Sequence, residues 1–293
     1  MDSDMTLRRA TTIDELDAIT GFSTEAGERI GLAYRPDPGD IFISPYAKCG
    51  TTWMQQIVHG LRSGGSMAFD EITEVVPWLE LAHDMGVDVN APQVAAPRAF
   101  KSHLTWDEIP KGGRYIVVFR DPVDAMISLY RFFEGWWFET GAISVDDFAA
   151  YYLRRGEDYW AHAASWLRQR GREDVLLVTF EEMKRNLPGV VGQVADFMGD
   201  YDAVTRAIAT EQAGFAFMKR HGGQFDDHLV RQARDAACGL PPGGAATKVA
   251  LGKSGAQISD DIRRRFEDRW QEVMAQEFGL PGYSALDQAL QGR

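Results

Sequence analysis

Four short apolar runs interrupt an otherwise mixed chain, and most of the sequence between them repeats at helical spacing. Residues 40–44 (DIFIS), 98–104 (RAFKSHL), 114–119 (RYIVVF) and 174–180 (DVLLVTF) have the length and the β-branched or aromatic content of buried strands. After the first run, Trp53, Met54, Ile57, Val58 and Leu61 fall on one helical face. After the third, Asp121 is a good N-cap and Pro122 suits the first helical position, with Met126, Leu129, Tyr130 and Phe133 continuing the pattern. A capping-box-like pattern at Ser144 opens another helix, and further helices are predicted over 158–169, 188–198 and 202–212. The last runs from about Ser259 to Phe278, with Ile262, Phe266, Trp270, Val273 and Met274 on one face and Gly279 and Pro281 after it. Strands alternating with helices predict an α/β fold, a parallel sheet flanked by helices. Residues 1–39 read as a lead-in across the surface. The glycine- and proline-rich stretch 220–246 reads as a mobile loop. The 293 residues suit one domain.

Charge narrows the function. The net charge is −12, so a broad nucleic-acid surface is not expected, although a few converging cations could still hold an anionic nucleotide. Two cysteines make no disulfide framework, no run of about 18 apolar residues predicts a membrane span, and no signal core opens the chain. A cytoplasmic protein is the expectation. No metal-ligating cluster is visible.

The turn after the first strand carries the candidate chemistry. Pro45–Gly50 leads into a helix whose first N–H groups have no partner inside the helix, and those donors with the helix dipole favour an anion. Lys48 adds a positive charge, Gly50 allows close backbone approach, and Thr51 or Thr52 could cap the helix or offer a hydroxyl to a ligand. The triphosphate-loop pattern G-x-x-x-x-G-K-[ST] is absent here. A later Gly252-Lys253-Ser254 lacks its first glycine, and Gln55 stands where a cysteine phosphatase needs Arg.

The run Ser44-Pro45-Tyr46-Ala47-Lys48-Cys49-Gly50-Thr51-Thr52-Trp53 resembles the 5′-phosphosulfate loop, T-Y-P-K-S-G-T-T-W, of the cytosolic sulfotransferases that use 3′-phosphoadenosine 5′-phosphosulfate (PAPS). Ala47 and Cys49 depart from it. A second match, Arg120-Asp121-Pro122-Val123-Asp124-Ala125-Met126-Ile127-Ser128, is similar to that family's 3′-phosphate motif R-[ND]-P-x-D-x-x-x-S. Lys101-Ser102-His103 resembles its K-T-H, where the His is the general base. Phe180-Glu181-Glu182-Met183-Lys184 resembles Y-E-D-M-K without the tyrosine hydroxyl, and Phe215 falls where the family stacks a Phe on adenine. Residues 247–254 keep Lys248 and Gly252 of the last motif, R-K-G-x-x-G-x-W, and lose its Arg, second Gly and Trp.

The resemblance implies a P-loop-like nucleotide-binding fold, PAPS as co-substrate, no metal, and sulfuryl transfer to an acceptor hydroxyl with PAP, the desulfated nucleotide, as product. It implies catalytic roles for His103, Lys48, Lys101 and Ser128. Nucleotide contacts are implied for Lys48, Cys49, Gly50, Thr51, Thr52, Trp53, Arg120, Ser128, Phe180, Phe215 and Lys248. The aromatic run 131–140 is either a packed loop or, through Phe132, Phe133, Trp136 and Trp137, a wall of the acceptor pocket. Trp78 is open to the same two readings. A phenol, a sterol-like alcohol or a glycolipid would suit such a wall. Cys49, beside Lys48 at a helix N-terminus, is read either as a reactive thiol or as a small inert residue. The family's C-terminal dimer motif, K-x-x-x-T-V-x-x-x-E, is not evident, and the oligomeric state is not legible.

Overall fold

The computed structural model describes residues 7–155, 158–243 and 258–291. Four parallel strands, β1 (Ile41–Ile43), β2 (Ala99–Lys101), β3 (Arg114–Phe119) and β4 (Val175–Thr179), form one sheet in the order β2-β1-β3-β4. Ile41 pairs with Ala99 on one side and Arg114 on the other, and Tyr115 pairs with Val175. The chain therefore leaves β1 towards one edge and returns to its other flank with β3. Open α/β sheets bind ligands beyond the carboxyl ends of their strands at such a reversal.

Both sheet faces are covered, which is why the strands read as continuous apolar runs. Phe42, Phe100, Tyr115, Val117 and Phe119 point into an aromatic layer, with Phe42 stacked on Phe100 at 5.4 Å and on Tyr115 at 5.5 Å. The helices Pro122–Phe133, Val145–Arg154, Tyr159–Leu167 and Asp260–Trp270 close that side with Met126, Phe148, Trp160, Trp166 and Phe266. The alternate residues Ile41, Ile43, Ile116, Val118 and Val178 pack against Met54, Ile57, Val58 and Leu61 of the Thr51–Ser63 helix and Val190, Val191 and Val194 of the Leu187–Met198 helix. At the amino edge of the sheet, buried Asp40 accepts from Tyr34 Oη (2.6 Å), Asp37 N (2.9 Å) and Arg98 Nε (3.2 Å), so its carboxylate is fully engaged.

The predicted elements are present; the third strand matches its run 114–119, and the other three are trimmed by a residue or more at their ends. Residues 222–234, expected as part of a loop, are mostly helical: Gly222–Phe225 is a 3-10 turn and His228–Arg234 an α-helix. Fully buried Phe225 and Val230 anchor them, so apolar burial overrides the glycine signal. The lead-in contains two short helices, Ile13–Asp17 and Glu25–Leu32, capped by Thr12 and Thr24. The last predicted helix continues beyond Trp270 through a π segment, Gln271–Ala275, and an unpredicted helix, Tyr283–Leu290, follows it. Among the described residues, no helix is long and apolar enough to cross a membrane.

His162 sits fully inside the Tyr159–Leu167 helix, its ring 5.6 Å from that of Tyr46, and burial lowers its pKa from 6.5 to about 3. Between those values the unfolded chain binds a proton that the folded chain refuses, so stability falls as pH drops, by up to about 1.4 kcal/mol per pH unit. Urea unfolding at about pH 7 and about pH 5 should show a smaller acid loss in His162→Gln than in the unaltered chain. Equal losses would show that His162 is not the group responsible.

Candidate active site

Each strand delivers one part of the site from its carboxyl end. β1 runs into the 44–50 turn, β2 ends at Lys101 with His103 just beyond, Arg120 follows β3, and Phe180 follows β4. Ser44 N–H still bonds Ile116 O (3.0 Å), and Cys49 N–H closes back on Tyr46 O (3.1 Å). Two residues then adopt left-handed backbone, Lys48 at φ 65° and Gly50 at φ 104°. At Gly50 φ disfavours any side chain, and a Cβ would also crowd the Phe180 ring at 3.0 Å. Lys48 carries a Cβ in the same region, a strained choice that needs outside support. Arg120 supplies it, its Nη1 donating to Lys48 O at 2.9 Å.

Gly50 is the N-cap of the Thr51–Ser63 helix, and no side chain caps the first turn. The sequence left Thr51 and Thr52 as possible caps; neither is one, because Gly50 occupies that position. The Thr51 hydroxyl is instead buried without a hydrogen-bond partner. An uncapped helix start, an orphaned hydroxyl and a side-chain-free glycine form a cradle with the donors an anionic oxygen requires.

Two lysines flank the cradle. Lys48 Nζ lies 3.8 Å from the centroid of the Phe132 ring. Half-buried Ser128 precedes Phe132 by one turn on the same helix, so the two share a face. Lys101, itself buried, holds Nζ 3.5 Å from the centroid of Trp78, and the Trp78 and His103 rings stand perpendicular with centroids 5.1 Å apart. His103 Nδ1 lies 2.7 Å from Pro45 O, the first carbonyl of the loop. A carbonyl only accepts, so Nδ1 carries the hydrogen, and in the neutral ring Nε2 then carries the lone pair.

On the far side of the cradle, the Arg120 guanidinium lies 4.4 Å over the Phe180 ring, and its Nε is buried without a partner. Phe180 packs edge-on against Trp53 at 5.5 Å, and Trp53 Nε1 donates to Ala213 O at 2.8 Å. Partly exposed Phe215 opens the next short helix, two residues on. Aromatic platforms thus stand beside a guanidinium. Asp121 caps the Pro122–Phe133 helix through Val123 N (2.9 Å) and Asp124 N (3.1 Å), and burial raises its pKa. Lys248 and the rest of 247–254 lie outside the described residues.

The aromatic run is packed. Phe132, Trp136, Trp137 and Phe138 are buried, and Trp136 donates to Asp235 Oδ1 at 2.8 Å. Phe22 bridges Trp78 (5.6 Å) and Trp137 (5.5 Å), which links the run to the lysine side of the site. Sequence reading missed Phe22, Tyr159, whose hydroxyl donates to Arg120 O at 2.6 Å, and Glu80, which accepts from His103 N at 2.7 Å. None of them sits in a periodic pattern that singles it out.

The reading of Cys49 as a reactive thiol is overturned. It is fully buried, and desolvation pushes its pKa up to about 12 against the opposing pull of Arg120. The cationic neighbour is present, but the missing solvent outweighs it. Alkylation of the folded chain should therefore modify half-buried Cys238 before Cys49, and Cys49 should react only on unfolding. Mass mapping after a short iodoacetamide pulse checks this; early labelling at Cys49 would contradict it.

A family model for the sulfotransferase domain matches residues 38–237. Sulfotransferase 2B1 of Rattus norvegicus is 29% identical over 201 residues, 61% of this chain and 56% of that protein. Sulfotransferase 1B1 of Mus musculus is 28% identical over 211 residues, 64% of this chain and 68% of that protein. The chain thus spans little more than half the length of the rat relative. The structure of mouse sulfotransferase SULT7A1 complexed with PAP has a TM-score of 0.68 at 18% identity, covering 92% of this chain and 95% of that one. Retinol dehydratase in complex with androsterone and inactive cofactor PAP gives 0.64 at 17%, covering 83% and 82%. These two similarities establish the P-loop-like fold, and the family model covers more than half of the sequence. The chain belongs to the sulfotransferase domain family.

Proposed function

We propose that the chain transfers a sulfuryl group from PAPS to the hydroxyl of a small hydrophobic acceptor, giving a sulfate ester and PAP. The observation that carries this reading is the meeting of Lys48, Lys101, His103 and Arg120 around one uncapped helix start. The cradle fits the 5′-phosphosulfate, with the Thr51 hydroxyl and the first-turn N–H groups as donors. Arg120 and Ser128 take the 3′-phosphate, for which a guanidinium offers paired donors, and Trp53, Phe180 and Phe215 flank the base. Lys248 is assigned to the nucleotide from the sequence resemblance alone.

His103 Nε2 removes the acceptor proton as the acceptor oxygen forms its bond to sulfur and the bond from sulfur to the departing phosphate oxygen breaks. Lys48 stabilises the charge left on that oxygen, while Lys101 holds the transferring group. Positioning and electrostatics carry the catalysis, as in phosphoryl transfer. The rings of Phe22, Trp78, Phe132 and Trp137 support the hydrophobic acceptor. PAP, androsterone and retinol in the crystals of similar fold agree with that chemistry. Labelled PAPS offered with phenols, sterol-like alcohols and glycolipids tests the assignment, and a glycolipid as the best acceptor would replace the small-molecule reading.

Arg120→Ala should weaken PAP by about 1.5–3 kcal/mol more than adenosine 5′-phosphosulfate, which has no 3′-phosphate. Both ligands should lose some affinity, because the same side chain holds Lys48 O. Only the excess loss for PAP reports the 3′-phosphate contact, and titration calorimetry measures it. No excess would remove Arg120 from that role.

His103→Ala and Lys48→Met should both collapse turnover but part company in binding. The first should leave PAP affinity nearly unchanged, whereas the second should weaken it, since Lys48 brings a positive charge to the phosphates and His103 serves the acceptor hydroxyl. Substantial turnover of an ordinary alcohol by His103→Ala would sink the base assignment.

A further inference from the structure

Glu80 occupies a position that the reaction described above does not use. Residues 77–79 lie alongside the end of β2. Lys101 N donates to Pro77 O and Leu79 N to Lys101 O, both at 2.8 Å, and Trp78 forms a parallel bridge with Lys101. This pairing carries Glu80 past the strand end to face the Ser102–His103 corner. There a single oxygen, Oε1, accepts the His103 peptide N–H at 2.7 Å and the Ser102 hydroxyl at 3.1 Å. Ser102 Oγ in turn accepts Leu104 N–H at 3.1 Å. The other oxygen, Oε2, is buried without a hydrogen-bond partner. Burial raises the carboxyl pKa, while the donors from His103 and Ser102 pull against it.

A carboxyl group placed in such surroundings only to fill space would be a poor choice, since an apolar residue would pack there without desolvating a charge. What the corner requires is an acceptor for two donors that the strand end leaves unpaired. We propose that Glu80 is the positioning residue for His103, fixing its backbone while Pro45 O fixes its ring. The two anchors pull from opposite ends of one residue: Glu80 holds the peptide and the phosphate loop holds Nδ1. The ring of Trp78, two residues before Glu80 and perpendicular to the imidazole, blocks a third direction. Nε2 is thereby held at a set distance from the cradle. This inference rests on the reading of His103 as the base.

The test compares kcat, KM, PAP affinity and Tm for Glu80→Ala, Glu80→Gln and His103→Ala. Displacement of a reacting group by about 1 Å costs about 100-fold, so Glu80→Ala should lose about 10–100-fold in kcat. Its PAP affinity should stay within about twofold of the unaltered chain. Glu80→Gln retains an oxygen acceptor and should recover to within about fivefold. Full kcat in Glu80→Ala overturns the inference. So does a parallel loss of kcat and PAP affinity, the signature of a general structural role. Glu80→Gln as impaired as Glu80→Ala also overturns it, because the role would then lie in charge. If Glu80→Ala does not fold, Glu80→Asp, which draws the acceptor back by one methylene, takes its place with the same expected loss of kcat. His103→Ala separates the two readings. Activity there removes the base assignment, whereas an inactive His103→Ala beside a fully active Glu80→Ala removes only the role of Glu80.

Discussion

The turn between β1 and the Thr51–Ser63 helix is the constraint from which the site follows. A parallel strand must pass into a helix that packs back on the sheet, and here the passage includes left-handed backbone at both Lys48 and Gly50. Gly50 adopts it freely. Lys48 does so against a steric penalty, held by a charge-assisted hydrogen bond from Arg120 to its carbonyl. That bond turns the strained residue into an anchored one and aims the open helix start at the site. The loop therefore owes its shape to a side chain that enters the fold only with β3.

The surrounding charges obey the same economy. Lysine is costly to bury alone, and Lys101 is buried, yet the face of Trp78 offers its ammonium a partial negative charge of the right shape. Lys48 rests on Phe132 in the same way. The aromatic residues beside the site thus act as packing material and as holders of cations. The His103 ring is aligned by a loop carbonyl, so the orientation of the imidazole and the shape of the 44–50 turn are one problem.

Much of this was legible in the sequence because the physics involved is local. Strand runs such as 114–119 are short, apolar and flanked by turn residues, and both sheet faces are covered, so no polar alternation hides them. Asp121-Pro122 announced a helix start through capping and the fixed φ of proline. Lys48, Lys101, His103, Arg120 and Phe180 lie at or just past strand ends, where open α/β sheets bind ligands. What escaped detection depends on tertiary contact. Glu80 matters only because 77–79 pairs with β2. Phe22 lies in a segment that looks like surface. Cys49 sits in the chemical company of a reactive thiol, but its solvation is a property of the fold. Glycines at 222 and 223 pointed to a loop, whereas buried Phe225 and Val230 draw the chain into helices.

The bond from Arg120 to Lys48 closes a loop of 72 residues. Contacts so distant along the chain carry a closure entropy that is recovered only when the intervening strands have docked. An excised peptide with the sequence 40–63 would therefore lack the arginine that holds its backbone, and no early local hairpin substitutes for it. The anion cradle comes into being with the whole sheet rather than ahead of it. A molecule that settles in it engages the native state and not its fragments, so its binding energy adds to the global unfolding free energy by mass action.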